Sequence, residues 1–507
     1  MSPDPEPEQQ ETLAFLEALR PCRRITTHAS HVFLFADHAL KLKRALRYAY
    51  LDFSTPQRRL ADCERELAVN RRVTPRLDLG LRRITREANG ALHFDGEGEL
   101  VDAVVEMRRF ADEDLFSRVL AEGRATPALI TQLARVIAAS HERAEVASPS
   151  GGAEAFARVL ALNETALRGA LPVDPQRIDA LTARLRALLA RHAALLDARR
   201  ARGCVRRCHG DLTLRNICLF EGEPVLFDAL EFDEELATVD VLYDLAFLLM
   251  DLWLFGARSL ANVLFNRYLD ARDESDGLAL LPLFMATRAV VRAHVAGAPG
   301  AERLAEARAY FDLAETLVEQ RAPLLVALGG FSGSGKSTLA ARIASDIGPA
   351  PGARILASDR IRKAMFGVAA TDRLPPAAYA PEVSARVYAR AREACAATLA
   401  QGHGCIAEAV FDRVEDLAAI EAAAREAGVP FIGVWLDAPV EALARRIAAR
   451  RDDPSDADEA VMRAQAARGH GDVGWTRLDA TQGAEALARE ALSRLERPQA
   501  LLSAGPP

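Results

Sequence analysis

Gly330-Phe331-Ser332-Gly333-Ser334-Gly335-Lys336-Ser337 fits the spacing G-x-x-x-x-G-K-[ST]. An apolar run over 324–328 leads into it, and a helical pattern starts at Lys336. Strand, glycine loop and helix start in this order gather backbone N–H groups around a phosphate. A second stretch is His209-Gly210-Asp211-Leu212-Thr213-Leu214-Arg215-Asn216, followed by an apolar strand that ends in Asp228. It sets an acid and an amide five residues apart across a tight loop, then adds a second acid. In that spacing Asp211 can orient and deprotonate a hydroxyl, while Asn216 and Asp228 can hold magnesium. The two stretches belong to unrelated folds, yet both point to ATP and Mg2+.

The chain has 64 Lys plus Arg, but only Lys41, Lys43, Lys336 and Lys363 are lysines. A lysine left in an arginine background marks a place where a compact ammonium suits better than a planar fork, such as a phosphate cradle. The 507 residues allow two to four domains, each able to bury a core. Half the residues are hydrophobic and the net charge is −7, which argues for a globular chain and against a general nucleic-acid surface. Seven cysteines in no paired spacing fit a reducing cytoplasm. Cys204, Cys208 and His209 miss the haem spacing by one residue, and no second ligand pair follows. Residues 1–12 and 498–507 read as disordered tails, without a signal peptide. The apolar run 241–257 contains Asp244 and Asp251, so it reads as a buried helix and no membrane partner is expected.

Residues 31–35 and 39–43 alternate around Asp37-His38 in a hairpin pattern, with Leu40 and Leu42 on one face and Lys41 and Lys43 on the other. A helix follows over 56–73, then strands near 81–86, 91–94 and 101–107, with Asn89-Gly90 as a turn. The spacing predicts helices over 127–142, 153–168 and 174–202. Residues 296–300 resemble a linker before a helix over 301–320. From 324 the pattern alternates: strands over 324–328, 354–357, 404–409, 430–436 and 475–478, with helices between. That is a parallel α/β sheet with right-handed crossovers.

In this second half, Gly330, Ser332, Gly333, Ser334, Gly335, Lys336, Ser337 and Thr338 are the expected ATP contacts. Lys336 would bridge the β- and γ-phosphates and Ser337 would ligate magnesium. Asp359, just past a strand, is placed to accept a proton from an acceptor hydroxyl, unless it only caps the next helix. Arg362, one turn on, would hold the acceptor's own charge. Glu408 ends a strand where a second metal carboxylate belongs. A helix after Pro439 carries Arg445, Arg446, Arg450 and Arg451, and Arg446 and Arg450 are expected to cover the triphosphate as a lid. Residues 324–496 resemble the small P-loop kinases that include gluconate kinase, the kinase domain of polynucleotide kinase and zeta-toxin-like proteins. The resemblance rests on 330–337, the Asp359-x-x-Arg362 pair and the arginine helix.

His209-x-Asp211-x-x-x-x-Asn216 with Asp228 resembles the catalytic loop and metal acid of the protein-kinase-like aminoglycoside phosphotransferase family, with its choline and homoserine kinase relatives. Asp240-Val241-Leu242-Tyr243-Asp244-Leu245-Ala246 matches that family's Asp-Leu-Ala segment. The resemblance implies that Asp244 buttresses the catalytic loop and that Lys41, with Lys43 as alternative, is the phosphate lysine. It also implies that Glu66 pairs with that lysine and that Glu106-Met107-Arg108 forms the hinge, with Met107 against adenine. No glycine-rich loop is visible in this half. The order of the halves also resembles a bacterial group that joins an aminoglycoside phosphotransferase-like domain to a kinase domain.

The expected architecture is therefore mixed α/β and α+β. A two-lobed kinase-like domain over 13–322 precedes a P-loop NTPase domain with a parallel sheet over 323–497. The expected activity is transfer of the ATP γ-phosphate by each module to a hydroxyl of an unidentified small-molecule acceptor. The alternative keeps one active P-loop kinase, acting on a small molecule, a nucleotide sugar or a nucleic-acid 5′-hydroxyl, with the first domain as an ATP-binding regulator.

Overall fold

The computed structural model describes residues 9–503, apart from 28, 49–50, 74–75, 148–149, 232, 299–302, 320, 452 and 470–473. The chain divides into two units, residues 1–255 with 283–316, and residues 256–282 with 317–507.

In the first unit the period-two pattern becomes an antiparallel pair, Ser30–Leu34 with His38–Lys43, that places Val32 opposite Lys41 and Phe33 opposite Leu40. The sheet continues antiparallel, among the described residues, in the order 23–26, 30–34, 38–43, 99–108, 78–86, 92–94. Leu40 and Leu42 face one side, where they pack with Leu13 and Leu16 of the helix Gln10–Leu19. Lys41 and Lys43 face the other side, toward the helix Pro56–Val73. Residues 1–8 of the expected tail lie outside the described residues, but 9–12 are structured. Gln9 Nε2 donates to Lys43 O and Asp102 Oδ2, both at 2.9 Å, and its Oε1 accepts from Ala45 N at 2.7 Å. Burial of Thr12, Leu13 and Leu16 is what makes this first turn fold.

The rest of the first unit is mainly helical. Thr126 and Asp174 cap the helices Pro127–Arg143 and Pro175–Ala201, each with proline in the first turn. The run read as a buried helix is Val241–Leu254, and all its residues but Leu254 are buried. Ser275–Gly297 is long and apolar enough to cross a membrane, and its most apolar stretch is mostly buried within the protein, as in a core helix. The expected linker falls partly outside the described residues, and its first residues end the helix Leu281–Gly297.

The second unit holds a parallel sheet in the order 354–357, 405–408, 325–329, 431–437, 476–479. The central strand, Leu325–Gly329, feeds the glycine loop, and apolar clusters fill both faces, as a parallel sheet requires. The last helix, Ala484–Ser503, runs into the segment read as a C-terminal tail; it is anchored by Leu487, Ala488, Ala491 and Leu495 along one face. Residues 256–282, which the sequence reading gives to the first module, make their contacts in this unit. The reason is the exposed edge of strand Arg354–Ala357. An edge strand presents unpaired N–H and C=O groups. Here Asn266, on the helix Arg258–Ala271, donates through Nδ2 to Ala353 O at 3.2 Å and accepts through Oδ1 from Ile355 N at 2.7 Å. Its amide thus supplies the donor and acceptor that a neighbouring strand would. Asn262 Nδ2 adds bonds to Pro351 O at 3.2 Å and Ala353 O at 3.0 Å.

Replacing Asn266 with Ala is expected to strand the Ile355 N–H and to lower stability by about 1–3 kcal/mol. Calorimetric unfolding of the full chain measures this; an unchanged transition would show that the edge does not depend on this amide.

Candidate active sites

Asp244 and Asp251 lie seven residues apart on the helix Val241–Leu254, so they share a face. Asp244 Oδ1 accepts from Gly210 N at 2.8 Å, and its Oδ2 lies 3.1 Å from His141 Nε2. Asp251 Oδ2 accepts from Leu214 N at 3.0 Å, and Oδ1 accepts from Tyr310 OH at 2.9 Å. The loop 209–216 is thus held from beneath at both ends. Gly210 has φ +83°, and a Cβ there would come within 2.9 Å of Leu230 Cβ and 3.0 Å of the Ala237 Cβ, so only glycine fits.

On this support Asn216 Nδ2 donates to Asp211 Oδ2 and Asp211 O, both at 2.8 Å. Strand Glu223–Leu226 pairs with Ile217–Phe220 and leads to Asp228. Asp228 adopts φ +59°, a left-handed backbone that a non-glycine residue takes only where its surroundings impose it. The surroundings are visible: Asn70 Oδ1 accepts from Ala229 N at 3.0 Å, and His209 Nε2 lies 2.9 Å from Phe227 O.

Lys41 Nζ donates to Glu66 Oε1 at 2.8 Å and to Asp228 Oδ1. Burial opposes its charge, but Asp228 and Glu66 outweigh that and raise its pKa. Lys43 is 1 % exposed and meets Glu66 Oε2 at 2.6 Å, Asp62 Oδ2 at 3.0 Å and Glu231. Of the two lysines, Lys41 is the one that touches Asp228. Two lysines face four carboxylates here, and the surplus negative charge with the Asn216 amide oxygen suits a hard divalent cation. Met107 is part-buried within the strand Glu99–Arg108, between Ala39 and Asp78, on the sheet face that carries Lys41; the chain leaves the sheet after Arg108.

In the second unit Lys336 starts the helix Lys336–Ile343, with Gly335 at φ +95° as its cap. A Cβ on Gly333 would come within 2.9 Å of Leu443 O, and one on Gly330 within 2.8 Å of Leu436 O. Lys336 Nζ donates to Gly330 O at 2.8 Å and Phe331 O at 3.2 Å, folding back over its own loop. Burial lowers its pKa, against the pull of Glu408 and Asp359. Ser337 donates to Glu408 Oε1. Burial raises the Glu408 carboxyl above its usual range, with Lys336 and Ser337 opposing. Ser332 N donates to Gln465 Oε1 at 2.9 Å, Ser334 Oγ is buried without a partner, and Thr338 is exposed in the first helical turn.

Asp359 lies in the first turn of the helix Ser358–Met365, whose cap is Ala357, so Asp359 is not the cap. It acts electrostatically on both Lys336 and Glu408. Arg362 is buried and donates to Ala378 O at 2.6 Å and Ser384 Oγ at 3.3 Å, with its guanidinium 4.8 Å from the Tyr379 ring centroid. The expected arginine helix is Val440–Ala448 and stops short of Arg450 and Arg451. Arg446 lies against the glycine loop, with Nη1 3.5 Å from Gly333 O and 3.4 Å from Ser334 O. Arg450 differs: its Nη1 is buried with no hydrogen-bond partner, and its charge bears on Lys336. A buried, unsatisfied donor beside the phosphate lysine fits an anionic ligand. Lys363 pairs with Asp456 at 2.6 Å, and Asp456 also accepts from Leu374 N at 3.0 Å and from Tyr379 OH.

Sequence reasoning used Asp251 only as an interruption of an apolar run, and it passed over Asn70, Asp62, Glu231, His141 and Asp78. The lysine scarcity did single out Lys43 and Lys363, without their partners.

Residues 22–279 match the phosphotransferase enzyme family, and residues 325–470 match an AAA domain. The uncharacterized protein Rv2004c of Mycobacterium tuberculosis is 28 % identical over 457 residues, 87 % of this chain and 89 % of that protein. A gluconokinase structure from Sinorhizobium meliloti covers 36 % of this chain and 98 % of its own, at 22 % identity and TM-score 0.26. A choline/ethanolamine kinase family protein from Mesorhizobium loti covers 62 % and 95 %, at 18 % identity and TM-score 0.40.

Asp78 gives a stability test of the first site. Its Oδ2 is buried without a partner, and burial and then Glu66 push the carboxyl up to about 7. With the folded pKa above the ordinary value, its contribution favours folding below that ordinary value and is lost as pH rises through about 7. Asp78→Asn should therefore raise Tm relative to wild type more at about pH 8 than at about pH 5. An equal Tm difference at both would show that Asp78 titrates normally.

Proposed function

Because the chain belongs to the phosphotransferase enzyme family, through its match over residues 22–279, we propose that it is an ATP-dependent kinase with two working centres. Each centre passes the γ-phosphate of ATP to a hydroxyl of a small-molecule acceptor. The chain is a fusion of an aminoglycoside phosphotransferase-like domain and a small P-loop kinase domain. One observation carries the two-centre reading: each unit holds its own lysine, metal-type oxygen ligands and a nearby acid, Asp211 in the first and Asp359 in the second. In this reading the catalytic modules are 13–322 and 323–497, with the helix Arg258–Ala271 built into the second unit.

In the first centre Lys41, held by Glu66, grips the ATP phosphates. Asp211 takes the proton of the acceptor hydroxyl as its oxygen bonds to the γ-phosphorus and the bond to the bridging oxygen breaks. Asn216 keeps the Asp211 carboxylate aimed through its 2.8 Å hydrogen bond. In the second centre the glycine loop cradles the β-phosphate, Lys336 turns from Gly330 O to the phosphates, and Arg450 supplies an unspent donor. Asp359 accepts the hydroxyl proton there. Asp228 with Asn216, and Glu408 with Ser337, are the residues that would hold magnesium, which when bound neutralises and orients the phosphate oxygens. The seven cysteines are all free, which supports a cytoplasmic setting.

ATP turnover by wild type, Asp211→Ala and Lys336→Ala, with and without a pooled metabolite extract, tests the reading. Each variant should lower its own share of turnover by roughly 100-fold or more. If Asp211→Ala changes nothing while Lys336→Ala abolishes turnover, the first domain binds or regulates and the two-centre reading fails.

A further inference from the structure

Three guanidinium groups of the second unit share one carboxylate. Asp270, near the end of the helix Arg258–Ala271, lies 2.7 Å from Arg354 Nη2, 3.0 Å from Arg267 Nη1 and 3.7 Å from Arg360 Nη1. Arg354 is well served, because its Nη1 also donates to Asn266 O and Oδ1, both at 3.1 Å. Arg267 is not. It is 9 % exposed, and its Nη1 makes no hydrogen bond, since the approach to Asp270 is out of line. Burial, countered by Asp270 and reinforced by Arg360 and Arg354, brings its pKa down to about 10. The guanidinium thus has Asp270 as an ion-pair partner but keeps a buried N–H donor that no hydrogen bond uses.

The cluster also sits at a chemically useful place. Strand Arg354–Ala357 ends with Ala357 in register with Glu408, and Arg360 follows in the next helical turn, directly after Asp359. The charge of Arg360 bears on Glu408, and that of Glu408 on Arg267. Solvent reaches the group, because the Arg360 and Asp270 side chains are 31 % and 28 % exposed. Arg362, expected to hold the acceptor's charge, is committed to Ala378 O and Ser384 Oγ.

We propose that Arg267, Arg354 and Arg360, organised by Asp270, form an anion subsite beside the P-loop centre, which takes the phosphate or carboxylate group of that centre's acceptor. The proposal rests on the P-loop kinase reading. Planar guanidinium forks match both anions. Arg267 and Asp270 lie outside the AAA-domain match at 325–470 and inside the phosphotransferase match at 22–279, yet they cluster with the second unit, so the subsite would draw on a segment which the AAA-domain match lacks.

The test uses the full chain, loaded with magnesium and a non-hydrolysable ATP analogue so that the nucleotide sites are filled. Inorganic phosphate is titrated calorimetrically in one arm and glycerate in another, with chloride at equal ionic strength as control. Saturable binding of at least one anion is expected, weakened about tenfold or more in Arg360→Gln and Arg267→Gln. The arm that binds identifies the acceptor's charged group. Arg360 is part-exposed, so its variant decides the matter if Arg267→Gln does not fold. Equal affinity in wild type and Arg360→Gln, or no binding of either anion by the loaded wild type, overturns the subsite. Analogue stoichiometry reports separately on the P-loop reading, which fails if Lys336→Ala leaves that stoichiometry unchanged.

Discussion

The first unit depends on two buried ammonium groups. Lys41 and Lys43 project from the same face of one strand into a nest of carboxylates from the helix Pro56–Val73 and the segment 228–231. Glu66 is shared, with one oxygen to each lysine. Burial pushes this carboxyl up, but Lys41 and Lys43 pull it down further, so the ionised form is kept. A buried ion pair adds little net stability over an apolar pair, yet losing one partner costs about 3–5 kcal/mol because the other charge stays buried. The network therefore works as a constraint. It fixes the strand, the helix and the segment 228–231 against each other, and so fixes Asp228 in a backbone conformation it would not adopt alone.

The catalytic loop is preorganised by a second device. One helix face carries two carboxylates that accept from backbone N–H groups of the loop, at Gly210 and Leu214. These bonds hold the loop on which Asn216 donates to Asp211. The second unit reaches the same end with backbone alone. Glycines at 330 and 333 let the loop close where any Cβ would strike a carbonyl, and Arg446 braces the loop carbonyls from behind. In both units the charged candidate groups are held by neighbouring side chains and backbone, an arrangement that suits electrostatic preorganisation.

Much of this was legible in the chain. The helix Pro56–Val73 has the bounds its pattern implied, and the strand Arg354–Ala357 likewise, because periodicity and flanking turn residues act locally. The tail read over 1–12 gives way at its end, where residues 10–12 join the helix Gln10–Leu19, whose buried stripe starts at Thr12 and runs on through Leu13 and Leu16. The contact of Arg446 with the glycine loop was not legible, because an arginine-rich helix shows its charge but not its direction. Asp251 was invisible as a support because its partners lie 37 and 59 residues away.

The sequence by itself determined the two folds, their order and the phosphate chemistry, since glycine loops, acid spacings and strand periods are local and carry their own geometry. Only the tertiary structure decided that Lys41 rather than Lys43 meets Asp228, that Arg446 braces while Arg450 is left unsatisfied, and that residues 256–282 serve the second unit. These turn on which distant groups become neighbours once the sheets form. An edge strand takes whatever donor and acceptor can reach it, and a buried charge takes the nearest opposite charge; neither choice is written in the spacing of residues along the chain.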